Sequence, residues 1–222
     1  MSDFAIARQK MVDGQVRTND VTDPRIIEAM LSIPRELFVP ESRRALAYLD
    51  LDLDVADGGS SKRYMIKPQT IAKMLQAAEI TESDNVLVVG CASGYAAALA
   101  ARLGGSVTGT ESDPALVEKG SDILATLGLS NVTLKTAAPA DGDLAGAPFD
   151  VIILNGATEI VPNGLCEQLA ADGRLVGVFA TGIPARAMIV TRSRGDDLGH
   201  RTLFDAAAPV LPTLERRRSF VF

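Results

Sequence analysis

From Pro68 onward, short apolar runs alternate with amphipathic stretches at a regular interval. The runs at 85–89, 106–110, 132–135, 149–154, 174–179 and 187–192 have strand length. The fourth is almost wholly apolar, the pattern of a strand buried on both faces. Between them, 69–78, 96–102, 114–127 and 165–171 read as helices. Ser112 or Asp113 caps the start of the third helix, and Gly128 closes it. A last extended stretch at 207–211 completes the expected sheet. This alternation predicts an α/β fold with a doubly wound, mostly parallel, Rossmann-like sheet that binds its ligand at the carboxyl ends of the strands.

The first 57 residues follow a different pattern. Residues 4–16 are near helical spacing, Thr22-Asp23-Pro24 opens a second helix over 25–32, and a short third one runs over 41–48. Residues 49–55 alternate strictly between apolar and acidic, as a half-exposed strand or an extended arm does. Residues 57–63 are a loop by composition. The expected organisation is an N-terminal helical extension over 1–57 and one compact unit over 58–222.

The densest chemical signal is Gly90-Cys91-Ala92-Ser93-Gly94-Tyr95, where the strand at 85–89 enters a small-residue turn before an alanine-rich helix. About twenty residues later the next strand ends on Glu111. In a βαβ unit such a turn exposes backbone N–H groups to a nucleoside ligand, and the acid takes the ribose hydroxyls. A dinucleotide fingerprint needs a small sixth residue, and here the sixth is Tyr95. Small residues at Gly90, Ala92 and Gly94 instead suit S-adenosylmethionine, which has no pyrophosphate to seat on a helix N-terminus. The competing reading is a tight strand-to-helix turn that binds nothing, with Gly94 serving packing alone.

Bulk properties narrow the partners. Hydrophobic content of 47% with 23% charged residues describes a globular chain long enough to bury a core. A net charge of −6 argues against a nucleic-acid grip, and the one basic cluster, Arg216-Arg217-Arg218, reads as a solvated turn. No apolar run approaches the ~18–20 residues of a membrane span, and the early acid and missing apolar segment in the first residues lead us to expect no signal peptide there. The expected location is cytoplasmic. One histidine and two separated cysteines leave no His/Cys metal set, so no metal is expected. His200 reads as an exposed loop residue in a polar stretch, which disfavours a Ser-His-Asp triad.

Over residues 11–211 the chain resembles the protein-L-isoaspartate O-methyltransferase family. The resemblance is carried by Met11-Val12-Asp13-Gly14-Gln15-Val16-Arg17, by Asp23-Pro24-Arg25-Ile26-Ile27-Glu28-Ala29-Met30, and by Ile33-Pro34-Arg35-Glu36-Leu37-Phe38-Val39-Pro40-Glu41. It continues through the Gly90 loop with its serine-glycine-tyrosine ending, and through Pro148-Phe149-Asp150-Val151-Ile152-Ile153. The resemblance implies transfer of a methyl group from S-adenosylmethionine to isoaspartyl residues of damaged proteins. It implies cofactor contacts at Gly90, Cys91, Ala92, Gly94, Tyr95, Glu111, Ala138 and Asn155. Such chemistry needs little from the protein's own acids and bases, because a carboxylate is ionised near neutral pH.

The chain also departs from that family. The family's glycine-threonine-isoleucine-serine-X-proline motif, anchored on Pro68, places Ile66 at its hydroxyl position. Ser60 and Ser61, in a small insertion just before it, are the candidate replacements. The acid usually found two residues before the first loop glycine is Val88, and the adenine-binding aspartate is Ala138. Two further readings therefore stand beside the enzyme: a degenerate homologue acting as a binding protein, and a methyltransferase with another acceptor.

Overall fold

The computed structural model describes residues 3–56 and 62–216. Helix α1 (Asp3–Met11) runs on through a π-helical turn at Val12–Val16 and a 3-10 turn at Arg17–Asn19. Helix α2 (Pro24–Ser32) begins where the Asp23 side chain accepts the Arg25 N–H at 2.9 Å, with proline supplying the first-turn geometry. Two 3-10 turns follow, Arg35–Phe38 and Glu41–Leu46. Strands β1 (Leu53–Asp54) and β2 (Tyr64–Met65) then pair antiparallel across the expected boundary at 57/58.

After α3 (Pro68–Ala78) come β3 (Asn85–Val89), α4 (Tyr95–Ala101), β4 (Ser106–Glu111), α5 (Pro114–Thr126) and β5 (Val132–Thr136). The chain continues through β6 (Phe149–Thr158), α6 (Asn163–Cys166), β7 (Leu169–Phe179), β8 (Arg186–Arg192) and β9 (Leu198–Asp205). The seven-stranded sheet has the order β5-β4-β3-β6-β7-β8-β9, parallel as far as β7 and antiparallel beyond it. Winding goes outward from β3 through β4 to β5, then restarts on the other side at β6. The switch point lies between β3 and β6, where an open sheet leaves a crevice for a ligand.

Alternation along the central strands builds two cores. Val86 and Val88 of β3 and Val151 and Ile153 of β6 share one core with α3, α4 and the N-terminal extension. Leu87, Val89, Ile152 and Leu154 point the other way, toward Leu165 of α6 and Leu211 and Leu214 beyond β9. The extension contributes Met11, Val16, Ile26, Met30 and Phe38 to the first core, so it packs as part of the sheet's cover.

Four local expectations need correction. The expected helix at 165–171 is the single turn α6, because Leu169 already pairs with Phe149 as the start of β7. His200 lies on β9 opposite Val190, not in a loop. That strand forms the outer edge and most of it is exposed, so it carries no apolar face to announce it. The stretch at 207–211 adds no strand; among the described residues it makes one parallel bridge, Val210 to Ala157. Of the alternating 49–55, only Leu53–Asp54 pairs, while Leu49 and Leu51 stay exposed.

Below the sheet, Arg174 of β7 clamps the end of α3. Its guanidinium donates to the carbonyl oxygens of Ala78, Glu79 and Asp150, and its Nη2 lies 2.8 Å from Asp84 Oδ2. Burial pushes the Asp84 carboxyl up, but hydrogen bonds from Thr81 and Arg174 outweigh it and hold the group below its ordinary value. A depressed folded-state pKa stabilises above the ordinary carboxylate pKa and is lost as pH falls below it. Asp84→Asn is expected to cost ~1–3 kcal/mol at pH 7. In urea melts at successive pH values, the gap to wild type should close as the solution is taken below ~pH 3.5.

Candidate active site

Strand register brings the predicted site residues into one row. Val89 pairs with Thr110 on one side and Leu154 on the other, so the next residues, Gly90, Glu111 and Asn155, sit side by side, the first two at the carboxyl ends of β3 and β4 and Asn155 within β6, at the register shift between Ile153 and Ala157. Glu111 also pairs with Thr136, which sets Ala137 and Ala138 at the end of β5 in the same row. The Cys91 N–H donates to the Thr110 carbonyl at 2.9 Å and the Ala137 N–H to the Glu111 carbonyl at 3.0 Å, locking the loops to the strand ends.

The Gly90 turn depends on left-handed backbone. Gly90 has φ +64°, Ala92 +52° and Gly94 +96°. A Cβ on Gly90 would stand 2.4 Å from Leu211 Cδ2, so this position is closed to side chains in two ways. Ala92 takes the same conformation with a methyl group, and its N–H donates to Glu111 Oε2 at 2.9 Å. The Cys91 thiol is buried; burial, and then the negative charge of Glu111, push its pKa up and keep it a neutral packing group.

Glu111 is itself buried at 1% exposure. Its Oε1 accepts from the Ser112 N–H at 2.7 Å, the Asp113 N–H at 3.1 Å, the Ser112 hydroxyl at 3.0 Å and Arg63 Nε at 2.8 Å. Asn155 Nδ2 donates to the Gly90 carbonyl at 2.8 Å and the Tyr64 carbonyl at 3.1 Å, tying β2 to the loop.

Other predicted residues take different places. Tyr95 is buried beneath Arg35, whose guanidinium lies 4.7 Å from the ring centre, with Phe38 edge-on at 5.5 Å. Ser93 donates to the Phe38 carbonyl, so this side of the turn grips the N-terminal extension. Ile66 is a core residue whose carbonyl accepts from Arg35 Nη2 at 2.8 Å. Ala138 is half-buried in a turn closed by the Asp141 N–H and offers no side-chain hydrogen bond to a base. Ser60 and Ser61, like Arg217 and Arg218, lie outside the described residues. Sequence reasoning missed Arg63 and Arg35, since both act on partners distant in the chain.

Past the ends of β6 and β7, a cleft of about 960 Å³ is lined by Glu159, Ala180, Thr181, Ile183 and Val210, none of them a residue of the row. Ile183 at its rim is fully exposed. His200 is remote from the row in sheet order, on the outermost strand. Among the described residues no group of three or more His, Cys, Asp or Glu side chains could hold a metal, and no helix is long and apolar enough to cross a membrane.

A profile of the protein-L-isoaspartate(D-aspartate) O-methyltransferase family matches residues 7–198. Protein-L-isoaspartate O-methyltransferase 1 of Rhodopseudomonas palustris (strain HaA2) is 36% identical over 203 residues, which is 91% of this chain and 81% of the relative. Protein-L-isoaspartate O-methyltransferase 2 of Anaeromyxobacter sp. (strain Fw109-5) is 41% identical over 76% of this chain and 68% of its own length. Among solved structures, one described as a protein-L-isoaspartate O-methyltransferase superposes with a TM-score of 0.82, at 23% identity over 94% of this chain and 67% of that one. Another, from Plasmodium falciparum in complex with S-adenosyl-L-homocysteine, gives 0.76 at 17% identity over 95% of this chain and 99% of its own. These two likenesses establish the fold, and the profile and sequence relatives establish the kinship. The chain belongs to the protein-L-isoaspartate(D-aspartate) O-methyltransferase family.

Proposed function

We propose that this chain carries out the chemistry of its family, transfer of a methyl group from S-adenosylmethionine to the free carboxylate of isoaspartyl residues in proteins. The observation that carries the reading is the row of Gly90, Glu111 and Asn155 at the switch point of the sheet. The left-handed Gly90–Gly94 turn fits the methionine moiety, and Glu111 fits the ribose diol. When bound, the cofactor supplies an activated methyl group on a sulfonium sulfur. The protein's own task is then to hold and orient the carboxylate and to keep water away, and such alignment alone is worth ~7–11 kcal/mol.

The cleft past β6 and β7 is the proposed seat of the flanking peptide, with Ile183 offering an apolar contact at its rim. The two buried free cysteines suit a reducing compartment, and the cytoplasm is the proposed location. The acidic surface, net −6, favours a protein substrate over a nucleic acid. Ile66 in place of a hydroxyl and Ala138 in place of an aspartate favour a second reading, a family member with weak cofactor affinity that serves as a binding protein.

Calorimetric titration with S-adenosylhomocysteine, followed by a methyl-transfer assay on an isoaspartyl peptide, separates these readings. The enzyme reading expects binding and transfer, whereas binding without transfer would point to another acceptor. No binding at millimolar ligand would favour the second reading. Glu111→Ala should weaken binding about 10- to 100-fold, the worth of a charged hydrogen bond of ~1.5–3 kcal/mol. His200→Ala, on the exposed edge strand, should leave methyl transfer within about twofold of wild type.

A further inference from the structure

Five donors already converge on the Glu111 carboxylate: the N–H groups of Ala92, Ser112 and Asp113, the Ser112 hydroxyl, and Arg63 Nε. A carboxylate offers about four lone-pair sites. Four of the five crowd Oε1 and only the Ala92 N–H takes Oε2, so Oε1 has no capacity for a ribose hydroxyl while they remain, and a diol cannot reach both oxygens. Three of the donors are backbone groups fixed by the β3 and β4 loops, and they cannot leave without dismantling the turn. The Ser112 hydroxyl can rotate, but Arg63 holds it as well, through Nη2 at 2.7 Å.

Arg63 is the donor able to move. Its backbone is anchored, with its carbonyl accepting the Val55 N–H at 2.7 Å, so displacement falls to the side chain. That side chain is 13% exposed, enough to give the guanidinium a path toward solvent. Among the described residues, Arg63 Nη1 makes one further bond, at 3.0 Å, to the carbonyl of its exposed neighbour Lys62.

We infer that Arg63 is an internal competitor for the cofactor: its guanidinium occupies Oε1 of Glu111 and must swing out before the ribose diol of an adenosyl ligand can engage both carboxylate oxygens. The inference rests on the reading of Glu111 as the ribose acid. Affinity for the cofactor is then the intrinsic affinity scaled by the fraction of molecules with Arg63 released. Arg63 sets that fraction, and with it the cofactor concentration at which the protein loads.

The test is calorimetric titration of S-adenosylhomocysteine into the full chain and into Arg63→Ala and Arg63→Gln, with thermal melts to confirm folding. Gln retains a side chain able to cover Glu111 without a charge, so it reports if the alanine variant fails to fold. Both folded variants should bind at least about tenfold more tightly than wild type, which corresponds to a released fraction below ~10% in the parent. The double variant Arg63→Ala, Glu111→Ala should lose that gain, which distinguishes release of Glu111 from general loosening of the fold. Wild type and variants binding with equal affinity, or variants binding more weakly, would overturn the competitor role and leave the cofactor reading standing. Failure of every folded protein to bind at millimolar ligand would overturn the cofactor reading, and the competitor role with it.

Discussion

A negative charge held at 1% exposure is the constraint around which the site is built. A buried carboxylate left without donors costs several kcal/mol, so the chain must deliver hydrogen bonds to Glu111 from wherever they can be found. It draws them from the Gly90 turn through Ala92, from the turn after β4 through Ser112 and Asp113, and from the segment before β2 through Arg63. Each of these segments is thereby fixed relative to the others. The left-handed conformation of Ala92, ordinarily a glycine's, is tolerated because it aims that N–H at the carboxylate.

The same turn has two faces with different duties. On one side Ala92 meets Glu111 and the Gly90 carbonyl accepts from Asn155. On the other, Ser93 and Tyr95 engage Phe38 and Arg35 of the N-terminal extension. Arg35 also donates to the carbonyls of Ala47 and Ile66, so one buried guanidinium joins the extension, the segment after β2 and the helix after the turn. The extension thus supports the turn from the side away from Glu111.

Much of this arrangement was legible in the chain. Apolar runs at strand length, with turns between them, gave β3 to the residue and β4 and β5 to within one, whereas β6 runs on to Thr158, four residues past its expected end at 154, through the polar and small residues Asn155 to Thr158 that break its apolar run. The spacing from Gly90 to Glu111 placed both at adjacent strand ends, since one βαβ unit fixes that distance. Edge strand β9 was not legible, because its exposed residues show no alternation. The direction of Tyr95 was hidden too: a turn motif records which residues are small and says nothing of which neighbour covers an aromatic ring. Arg63 lies 48 residues before its partner in a stretch that reads as a surface loop, and only the fold brings the pair together.

Glu111 is proposed to serve two alternative partners, one from the chain and one from a ligand. The most direct measurement is a crystal structure of the full chain with S-adenosylhomocysteine. It should show the ribose hydroxyls on Glu111, the Ala92, Ser112 and Asp113 N–H groups still in place, and the Arg63 guanidinium withdrawn. A bound ligand whose ribose lies away from Glu111, with the Arg63–Glu111 pair intact, would contradict it.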